Sequence, residues 1–433
     1  MDVDVRADLL VGLNGFRVLE VMLGTELEIR VETTATRVGC PACGVLATLH
    51  DRRSHRVRDM AAGGRAVVID WSKRVWRCRE SLCKMVTWSE QSREILARAA
   101  LTERARRDIC RRAGLLVPVS KLAMDYGVSW ATAMTAVRVF GTPLVDDPAR
   151  VAGVRRLGVD ETSFLLANYD HHTKYLTGFV DLDRGCLLDI VAGRAGDDVG
   201  YWLAQQPSAF LQQIMEVALD PHRGYANGLL RRLGDAMFVL DHFHVIKLAN
   251  KMLDDVRRRV QNETLGHRGT IKDPLFGIRR LLCRDGNLLS QRNSDRLVAA
   301  LDTGDNTRGE VASAWFAKEA LRAVYTTKDP ELAAEYLAEF YNEVDEWQIP
   351  EAKRLARTIR AWECELLNWH HSGGTSNGPT EAVNLLIEKL RRLGHGFRNQ
   401  DNYRLRLLLA CGGINWHTQP VARLRTHTPR KIA

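Results

Sequence analysis

The chain has 433 residues, of which 45% are hydrophobic and 27% are charged. A chain of this length and composition can bury several cores, so we expect two to four domains and exclude a disordered or small disulfide-stapled protein. It contains no run of about 18 uncharged apolar residues, and its first residues lack the basic-then-apolar order of a signal peptide. We therefore expect a cytoplasmic protein with no membrane partner.

The formal net charge of +9 is concentrated in one part of the chain. Residues 40–121 contain 18 Lys and Arg against 8 Asp and Glu, so this segment alone accounts for the positive excess. A basic block of this kind is typical of proteins that bind an anionic polymer. The first candidate partner is therefore nucleic acid.

The first 35 residues have the pattern of strands joined by turns. Apolar residues alternate with a period of two in two runs: Leu19, Val21 and Leu23, then Leu27, Ile29 and Val31. Such alternation predicts half-buried strands. Short β-like runs continue between paired cysteines as far as residue 92.

Four cysteines in this region have the spacing of a zinc site: Cys40, Cys43, Cys78 and Cys83. The first pair forms a Cys-Pro-x-Cys-Gly knuckle, and the second pair has four intervening residues, which is a weaker match. Zinc prefers four thiolates in a tetrahedron, and a full set of protein ligands indicates one structural zinc ion. Two alternatives remain open: the cysteines bind no metal, or His50 or His55 replaces one of them.

A helical pattern runs from residue 91 to residue 140, with breaks at Gly114, Pro118 and Gly127. This segment has a helix-turn-helix pattern. A short helix is followed by a glycine turn, and Ser129 can cap a second helix that begins near Trp130. Its exposed face would present to a DNA groove Trp130, Thr132, Thr135 and Arg138. The preceding helix would bring Arg111 and Arg112 to phosphates. An ordinary helical hairpin is the alternative.

A proline- and acid-rich linker at residues 142–148 precedes a second set of elements. Their predicted order is strand, strand, strand, helix, strand, helix, strand, with strands at residues 155–164, 174–183, 186–192, 214–219 and 236–245. Residues 247–368 have an almost continuous helical pattern, which is too long for a loop. A further helix is predicted at residues 380–393.

Carboxylates follow two of these strands and begin the last helix. Asp160 ends the first apolar run, Asp220 follows the fourth, and Glu381 lies after Gly378-Pro379. Neighbouring strands bring such side chains to one edge of a sheet, and Mg²⁺ prefers oxygen ligands. Three carboxylates in this order indicate a two-metal site for phosphoryl transfer, although a single Asp at a strand end is usually a turn or cap residue.

Several runs resemble bacterial insertion-sequence transposases of the ISL-three family: residues 158–164 (GVDETSF), 179–183 (FVDLD), 240–250 (LDHFHVIKLAN), 375–384 (TSNGPTEAVN) and 394–399 (GHGFRN). The resemblance covers nearly the whole chain, including the cysteine knuckle and the helix-turn-helix. It implies a DDE transposase with an RNase H-like core and two catalytic Mg²⁺ ions, for which Mn²⁺ can substitute. The implied reaction is cleavage at the element's ends and transfer of the 3′-hydroxyl into target DNA.

The resemblance leaves the second aspartate open. In an RNase H-like core the second carboxylate follows the fourth strand, which favours Asp220. Asp241 on the fifth strand and His244 match the Cys/Asp-x-x-His motif of related Mutator-like enzymes and are kept as catalytic candidates. They could instead orient a ligand or contact DNA, or His244 could be a core histidine. Arg398 is a candidate for the DNA channel, or for a solvated surface.

The resulting prediction is a multidomain α/β protein: an RNase H-like core with a mixed five-stranded sheet and an all-α insertion, preceded by a zinc ribbon and a helix-turn-helix. The predicted parts are residues 1–92, 93–142, 150–246, 247–370 and 371–433. Expected partners are double-stranded DNA, as element ends and target, and a second copy of the chain in a dimer on DNA. The alternatives are a non-catalytic DNA-binding regulator with a decayed core and a structure-specific nuclease.

Overall fold

The computed structural model describes residues 3–165, 167, 169, 172–221 and 223–417. The described residues form two compact units: those up to residue 150 together with those from residue 386 onward, and those between residues 151 and 385. No helix within the described ranges combines the length and the apolar character needed to cross a bilayer.

The first unit begins with a helix and a five-stranded sheet: α1 (Val3–Val11), β1 (Phe16–Leu23), β2 (Leu27–Thr33), β3 (Thr48–Ala62), β4 (Arg65–Arg77) and β5 (Thr87–Ser89). The strand order is β1-β2-β4-β3, and β5 pairs with the end of β4. Strands β2 and β4 run parallel, and the other pairs are antiparallel. Trp71, Ile69 and Val31 are fully buried and form the centre of the sheet's core.

The prediction for residues 1–35 was partly wrong. Residues 3–11 form α1 rather than strand and turn. In β2, Ile29 and Val31 are buried as expected, but in β1 Leu19, Val21 and Leu23 are exposed. Val21 and Leu23 pair with Ile29 and Leu27 and so lie on the same face as these residues. They are exposed because β1 is an edge strand whose residues from Leu19 to Leu23 are exposed on both faces.

Three helices complete the amino-terminal part of this unit: α2 (Glu103–Gly114), α3 (Val119–Asp125) and α4 (Trp130–Val145). Thr102 caps α2 through its hydroxyl, which accepts a hydrogen bond from the backbone N–H of Ala105. The carboxyl-terminal helix α16 (Gln400–Cys411) packs against α2 and α4. Gly141 permits this packing, since a Cβ at that position would lie 2.9 Å from a methyl carbon of Leu409.

The second unit contains a five-stranded mixed sheet with helices: β6 (Arg156–Leu165), β7 (Lys174–Asp181), β8 (Cys186–Ala192), α5 (Gly196–Ala204), α6 (Ser208–Gln213), β9 (Glu216–Leu219), α7 (Arg223–Leu230) and β10 (Met237–Leu240). The strand order is β10-β9-β6-β7-β8. Strands β6, β7 and β8 are antiparallel neighbours, whereas β6, β9 and β10 run parallel. The predicted order of strands and helices is confirmed. The fifth strand is shorter than predicted, because Asp241 caps a helix and residues 242–245 are helical.

The long helical pattern after β10 is confirmed as seven helices: α8 (His242–Leu265), α9 (Pro274–Leu282), α10 (Gln291–Gly304), α11 (Glu310–Ala323), α12 (Pro330–Trp347), α13 (Pro350–Ala361) and α14 (Glu363–His371). Short 3-10 turns lie at Pro148–Val151 and Gly286–Leu288. One continuous apolar core joins these helices to the sheet, from Leu157 and Val217 to Phe340 and Leu366. The last helix before α16 is α15 (Gly378–Leu393), and the boundary between the units divides it after residue 385.

Candidate functional site

The four predicted cysteines lie together in the first unit. The sulfur of Cys40 is 3.7 Å from that of Cys83, and the sulfur of Cys43 is 3.5 Å from that of Cys78. All four sulfur atoms lie within 4.8 Å of one another. A zinc ion bound to four thiolates at about 2.3 Å places sulfur atoms about 3.8 Å apart at the corners of a tetrahedron. The observed sulfur distances therefore fit a four-coordinate zinc ion.

Local hydrogen bonds hold the cysteines in this arrangement. The backbone N–H of Gly44 donates to the carbonyl of Cys40, and Gly44 has a φ of +77°, a conformation that favours glycine. The sulfurs of Cys78 and Cys83 each accept a backbone N–H at 3.4 Å. His50 and His55 lie on β3 outside the cluster, and Nε2 of His55 lies 3.0 Å from the carbonyl of Ala99. The alternative of a histidine ligand was therefore wrong.

In the second unit, three aspartates occupy one level of the sheet. Val159 on β6 pairs with Leu219 on β9, and Leu219 pairs with Leu240 on β10. The residues that follow this row are Asp160, Asp220 and Asp241. Because the three strands are parallel neighbours, these aspartates are adjacent across the sheet.

Asp160 is half-buried and receives two hydrogen bonds. Nδ2 of Asn384 donates to Oδ2 at 2.6 Å, and the backbone N–H of Glu161 donates to Oδ1 at 2.7 Å. Burial disfavours the carboxylate, and the negative charge of Asp220 adds to this effect. Together they raise the pKa of Asp160 to about 6.

His244 connects the other two aspartates. Its Nδ1 lies 2.9 Å from Oδ1 of Asp220 and 3.0 Å from Oδ2 of Asp241. Burial disfavours the charged imidazole, but the two carboxylates outweigh it and raise the pKa of His244 to about 10. The histidine is therefore a cation that offsets part of the negative charge of the row.

Asp241 is bound more completely by the protein than Asp220. Asp241 is only 2% exposed, and its Oδ1 accepts the backbone N–H of Asn377 at 2.9 Å. Its Oδ2 accepts from His244, so both of its oxygens are engaged. The side chain of Asp220 is 22% exposed. Asp220 therefore retains the access to solvent that Asp241 has lost.

The hydrogen bonds from Asn377 and Asn384 fix the first two turns of α15. Asn377 immediately precedes the helix, and Asn384 lies in its second turn. Close packing reinforces this position, since a Cβ on Gly158 of β6 would lie 2.2 Å from the hydroxyl of Thr380. Glu381 is half-buried and lies three residues before Asn384, on the same face of the helix.

The described residues contain two groups of potential metal ligands whose ligand atoms all lie within 4.8 Å: the four cysteines, and Asp220 with Asp241 and His244. Asp160 and Glu381 are outside the second group. The carboxylates of Asp160, Asp220 and Glu381 supply the oxygen donors that Mg²⁺ and Mn²⁺ prefer. The donor set therefore fits a hard divalent cation.

A family model described as transposase, that of the ISL3 (ISL-three) family, matches residues 157–407. A second model, described as the zinc-finger of transposase IS204/IS1001/IS1096/IS1165, matches residues 36–83. The first match covers more than half of the chain. The chain belongs to the ISL3 family of transposases. Its four-cysteine cluster is accordingly a zinc ribbon with a structural zinc site.

Individual relatives agree with the family. The chain is 28% identical over 284 residues to the transposase for insertion sequence element IS1557 of Mycobacterium tuberculosis, a match that covers 61% of this chain and 62% of the relative. It is 23% identical over 396 residues to the transposase for insertion sequence element IS1001 of Bordetella parapertussis, which covers 90% of this chain and 93% of that relative. The chain thus spans less than two thirds of the IS1557 protein.

The predicted DNA-binding residues of this ISL3 protein lie on α2, α4 and the segment before α16. Helix α4 begins at Trp130, as predicted, and the hydroxyl of Ser129 caps it by accepting the N–H of Thr132 at 3.1 Å. Of the predicted DNA-binding residues, Thr132 and Arg112 are half-buried. The others are exposed: Trp130, Thr135, Arg138, Arg111 and Arg398.

Two of these arginines already have partners in the protein. The guanidinium of Arg138 donates to Oδ1 of Asn402 at 2.9 and 3.1 Å. Nη2 of Arg112 lies 2.8 Å from Oδ2 of Asp125. Contacts of this kind depend on tertiary packing, which the sequence pattern did not reveal.

Sequence reasoning missed Asn377 and Asn384 as site residues. Both lie in the run that carries Glu381, and the spacing of three between Glu381 and Asn384 places them on one helix face. That spacing was the available signal. The spacing could not reveal the acceptors. The backbone N–H of Asn377 donates to Asp241, 136 residues away, and the side-chain amide of Asn384 donates to Asp160, 224 residues away.

Proposed function

We propose that the chain is the enzyme of DNA transposition for an insertion sequence. It binds the terminal inverted repeats, cleaves the DNA and transfers the 3′-hydroxyl ends into target DNA. The observation that supports this most strongly is the row of aspartates on three parallel strands, with the helix of Glu381 hydrogen-bonded to two of them. The two relatives, which are both transposases of insertion sequence elements, support the same activity.

The sheet of the second unit is the proposed RNase H-like core. Three antiparallel strands are followed by two parallel strands that extend the sheet from the side of the first strand. In such cores one catalytic carboxylate lies on the first strand, one follows the fourth strand, and one lies in a late helix. Asp160 lies on the first strand of this sheet, Asp220 follows the fourth, and Glu381 is in the first turn of α15.

We assign the second catalytic carboxylate to Asp220. Both oxygens of Asp241 accept hydrogen bonds from the protein, so Asp241 is better suited to hold α15 and His244 in place. Asp220 is more exposed and contacts His244 through one oxygen. His244 then orients Asp220, and Asn384 orients Asp160.

Asp160, Asp220 and Glu381 would hold the catalytic ions. When bound, two Mg²⁺ or Mn²⁺ ions would supply positive charge that stabilises the negative charge at the scissile phosphate. The chain's own residues fix the carboxylates: Asn384 and the Glu161 amide hold Asp160, and His244 holds Asp220. The attacking groups are water and then the 3′-hydroxyl of DNA, so a nucleophilic side chain is not required.

DNA binding is assigned to the first unit. Helices α3 and α4, with Gly127 at a φ of +61° between them, are the proposed helix-turn-helix. The zinc ribbon contributes the basic strands β3 and β4. Two copies of the chain would act together, one at each end of the element.

The deciding experiment compares Asp160→Asn with Asp183→Asn in the full-length, zinc-loaded protein. Asp183 is an exposed aspartate that pairs with Arg156 after β7, so it is a matched control away from the row. The substrate is a duplex that carries the inverted repeat flanking the coding sequence, with Mg²⁺ or Mn²⁺. We expect cleavage by the wild type and by Asp183→Asn, and none by Asp160→Asn, while all three bind the duplex.

Two outcomes would contradict the proposal in different ways. Binding without cleavage by the wild type would favour the non-catalytic regulator. Cleavage of branched or unrelated DNA with no preference for the inverted repeat, and no joining to target DNA, would favour the structure-specific nuclease.

A further inference from the structure

A cleft lies in the first unit between the proposed helix-turn-helix and the segment that leads into α16. Its volume is about 250 Å³, and its walls include Val119, Trp130 and Met134 on one side and Phe397, Arg398 and Arg406 on the other. This volume is below the roughly 300–1,000 Å³ of pockets that hold drug-sized molecules. The cleft therefore suits a small ligand.

Local contacts preform the second wall of the cleft. The aromatic ring of Phe397 packs against that of Tyr403, with 4.7 Å between ring centroids. The side chain of Asn399 caps α16 by accepting the N–H of Asn402 at 2.8 Å. The backbone N–H of Gly396 donates to the carbonyl of Arg391 at 3.0 Å. The loop between α15 and α16 thus presents Phe397 and Arg398 from a fixed framework.

Arg406 is an unusual group in this cleft because it is a buried cation. It is 3% exposed, and its Nη2 donates to the backbone carbonyls of Ala113 and Val117 at 3.2 and 3.1 Å. Its Nε has no hydrogen-bond acceptor within the described part of the chain. A buried charge costs free energy unless a partner of opposite charge or further hydrogen bonds compensate it. Because Arg406 lines the cleft, its unpaired Nε indicates a ligand with acceptor atoms.

The composition of the walls identifies the class of ligand. Among the described residues that line the cleft, two are arginines and none is an aspartate or glutamate. Trp130 is 49% exposed, so a flat ring can stack on it. Aromatic and apolar walls with polar groups at the edge are typical of pockets that hold an unstacked base, and arginines suit the phosphate attached to it. An inorganic phosphate alone would leave the aromatic walls without a function.

We propose that this cleft binds one unpaired nucleotide of DNA, with its base against Trp130 and its phosphate at Arg398. The proposal rests on the proposed function only in taking DNA as the ligand. It extends that function, because it assigns the recognition of an unpaired nucleotide to the segment between α15 and α16, where Arg398 is a predicted DNA contact. The protein would then recognise a distorted or opened duplex as well as a paired sequence.

The test measures binding of the full-length, zinc-loaded protein to three short duplexes without added Mg²⁺, so that cleavage cannot contribute. The duplexes share one sequence and are fully paired, carry one unpaired adenine, or carry an abasic site at the position of that adenine. The abasic duplex has the flexibility of the second but lacks the base. Since stacking one base on an aromatic side chain strengthens binding by about 5- to 150-fold, we expect tighter binding of the unpaired adenine by about 10-fold over the abasic duplex.

Two variants assign that preference to the cleft. Trp130→Ala should remove the preference for the unpaired adenine over the abasic duplex. Because Trp130 also lies on the predicted DNA-contacting face, the readout is this ratio and not the affinity for the paired duplex. Val139→Ala is the matched control, because Val139 is a comparably exposed apolar residue on the same helix outside the cleft, and it should keep the preference.

Equal binding of the unpaired-adenine and abasic duplexes by the wild type would overturn the proposal, as would a preference that survives in Trp130→Ala. In both cases binding of the paired duplex would leave the proposed function intact. If the wild type binds none of the three duplexes, both the nucleotide cleft and the proposed function are wrong.

Discussion

The two units of the molecule assemble their metal-ligand clusters in different ways. The zinc cluster draws four cysteines from one stretch of 44 residues, Cys40 to Cys83, and backbone N–H groups of Glu80 and Met85 donate to two of the sulfurs. The carboxylate row draws Asp160, Asp220 and Asp241 from three strands and is joined to α15, more than 130 residues beyond the last strand. The first cluster is local and the second depends on the whole sheet.

The two clusters also differ in how far groups of the protein balance the charge of the ligand atoms. Four thiolates at tetrahedral distances repel one another, and the two backbone N–H groups that donate to Cys78 and Cys83 do not supply the positive charge of an ion. In the carboxylate row, His244 and Asn384 already provide donors. Loss of zinc should therefore unfold its module, whereas loss of a catalytic ion should leave the second unit folded.

Removing a zinc ligand should produce the largest effect. Cys43→Ser should reduce the zinc content from about one ion per chain to near zero, since a structural zinc site contributes about 10–16 kcal/mol of apparent binding free energy in small modules. The region around β5 should then lose its protection from hydrogen exchange. Elemental analysis and hydrogen exchange of the full chain test both effects.

Cys283→Ser is the matched control for this measurement, because Cys283 is an exposed cysteine outside the cluster. Full zinc content in Cys43→Ser, or normal protection of β5 after chelation, would show that the two clusters do not differ in this way.

The second prediction separates the two aspartates that compete for one role. Asp220→Asn should lower the cleavage rate by at least about 10³-fold, because it removes a charge that fixes an ion and is worth several kcal/mol. Asp241→Asn should lower it by about 10–100-fold, as expected for a residue that orients others. Single-turnover cleavage of an end-containing duplex measures both rates. An active Asp220→Asn beside an inactive Asp241→Asn would transfer the metal-ligand role to Asp241.

Removing the side-chain amide of Asn384, which supports Asp160, should have an intermediate effect on cleavage. Asn384→Ala removes the 2.6 Å hydrogen bond to Asp160 and should lower the cleavage rate by about 10–100-fold, with DNA binding unchanged. Leu385→Ala, at a 73% exposed position next to it on α15, should cleave at the wild-type rate. If Asn384→Ala cleaves as fast as Leu385→Ala, Asp160 does not depend on this hydrogen bond.

The contrast between the clusters explains what the sequence could predict. The spacing of Cys40, Cys43, Cys78 and Cys83 was sufficient for the zinc site, because every ligand lies in one short segment. The order of strands β6 to β10 followed from apolar runs and turn residues. The register that aligns Asp160 with Asp220 did not, since it depends on pairing between strands about 60 residues apart.

Other features were inaccessible for similar reasons. The residues of β1 from Leu19 to Leu23 are exposed at the edge of the sheet, and alternation alone cannot reveal whether a strand is central or at an edge. The packing of α16 on α2 and α4 joins segments almost 300 residues apart, such as Arg406 and Ala113. The partners of Arg138 and Asn384 likewise come from distant parts of the chain.

The smallest predicted effect concerns two neighbouring arginines on α2. Arg111 is exposed, whereas Arg112 forms an ion pair with Asp125. If Arg111 contacts one phosphate, Arg111→Ala should lower the slope of log binding constant against log salt concentration by about 0.9. Arg112→Ala should change the slope less, because the carboxylate of Asp125 already neutralises its charge. Titrations of duplex DNA at several salt concentrations compare the two variants, and an equal change in slope would show that Arg112 leaves Asp125 to bind DNA.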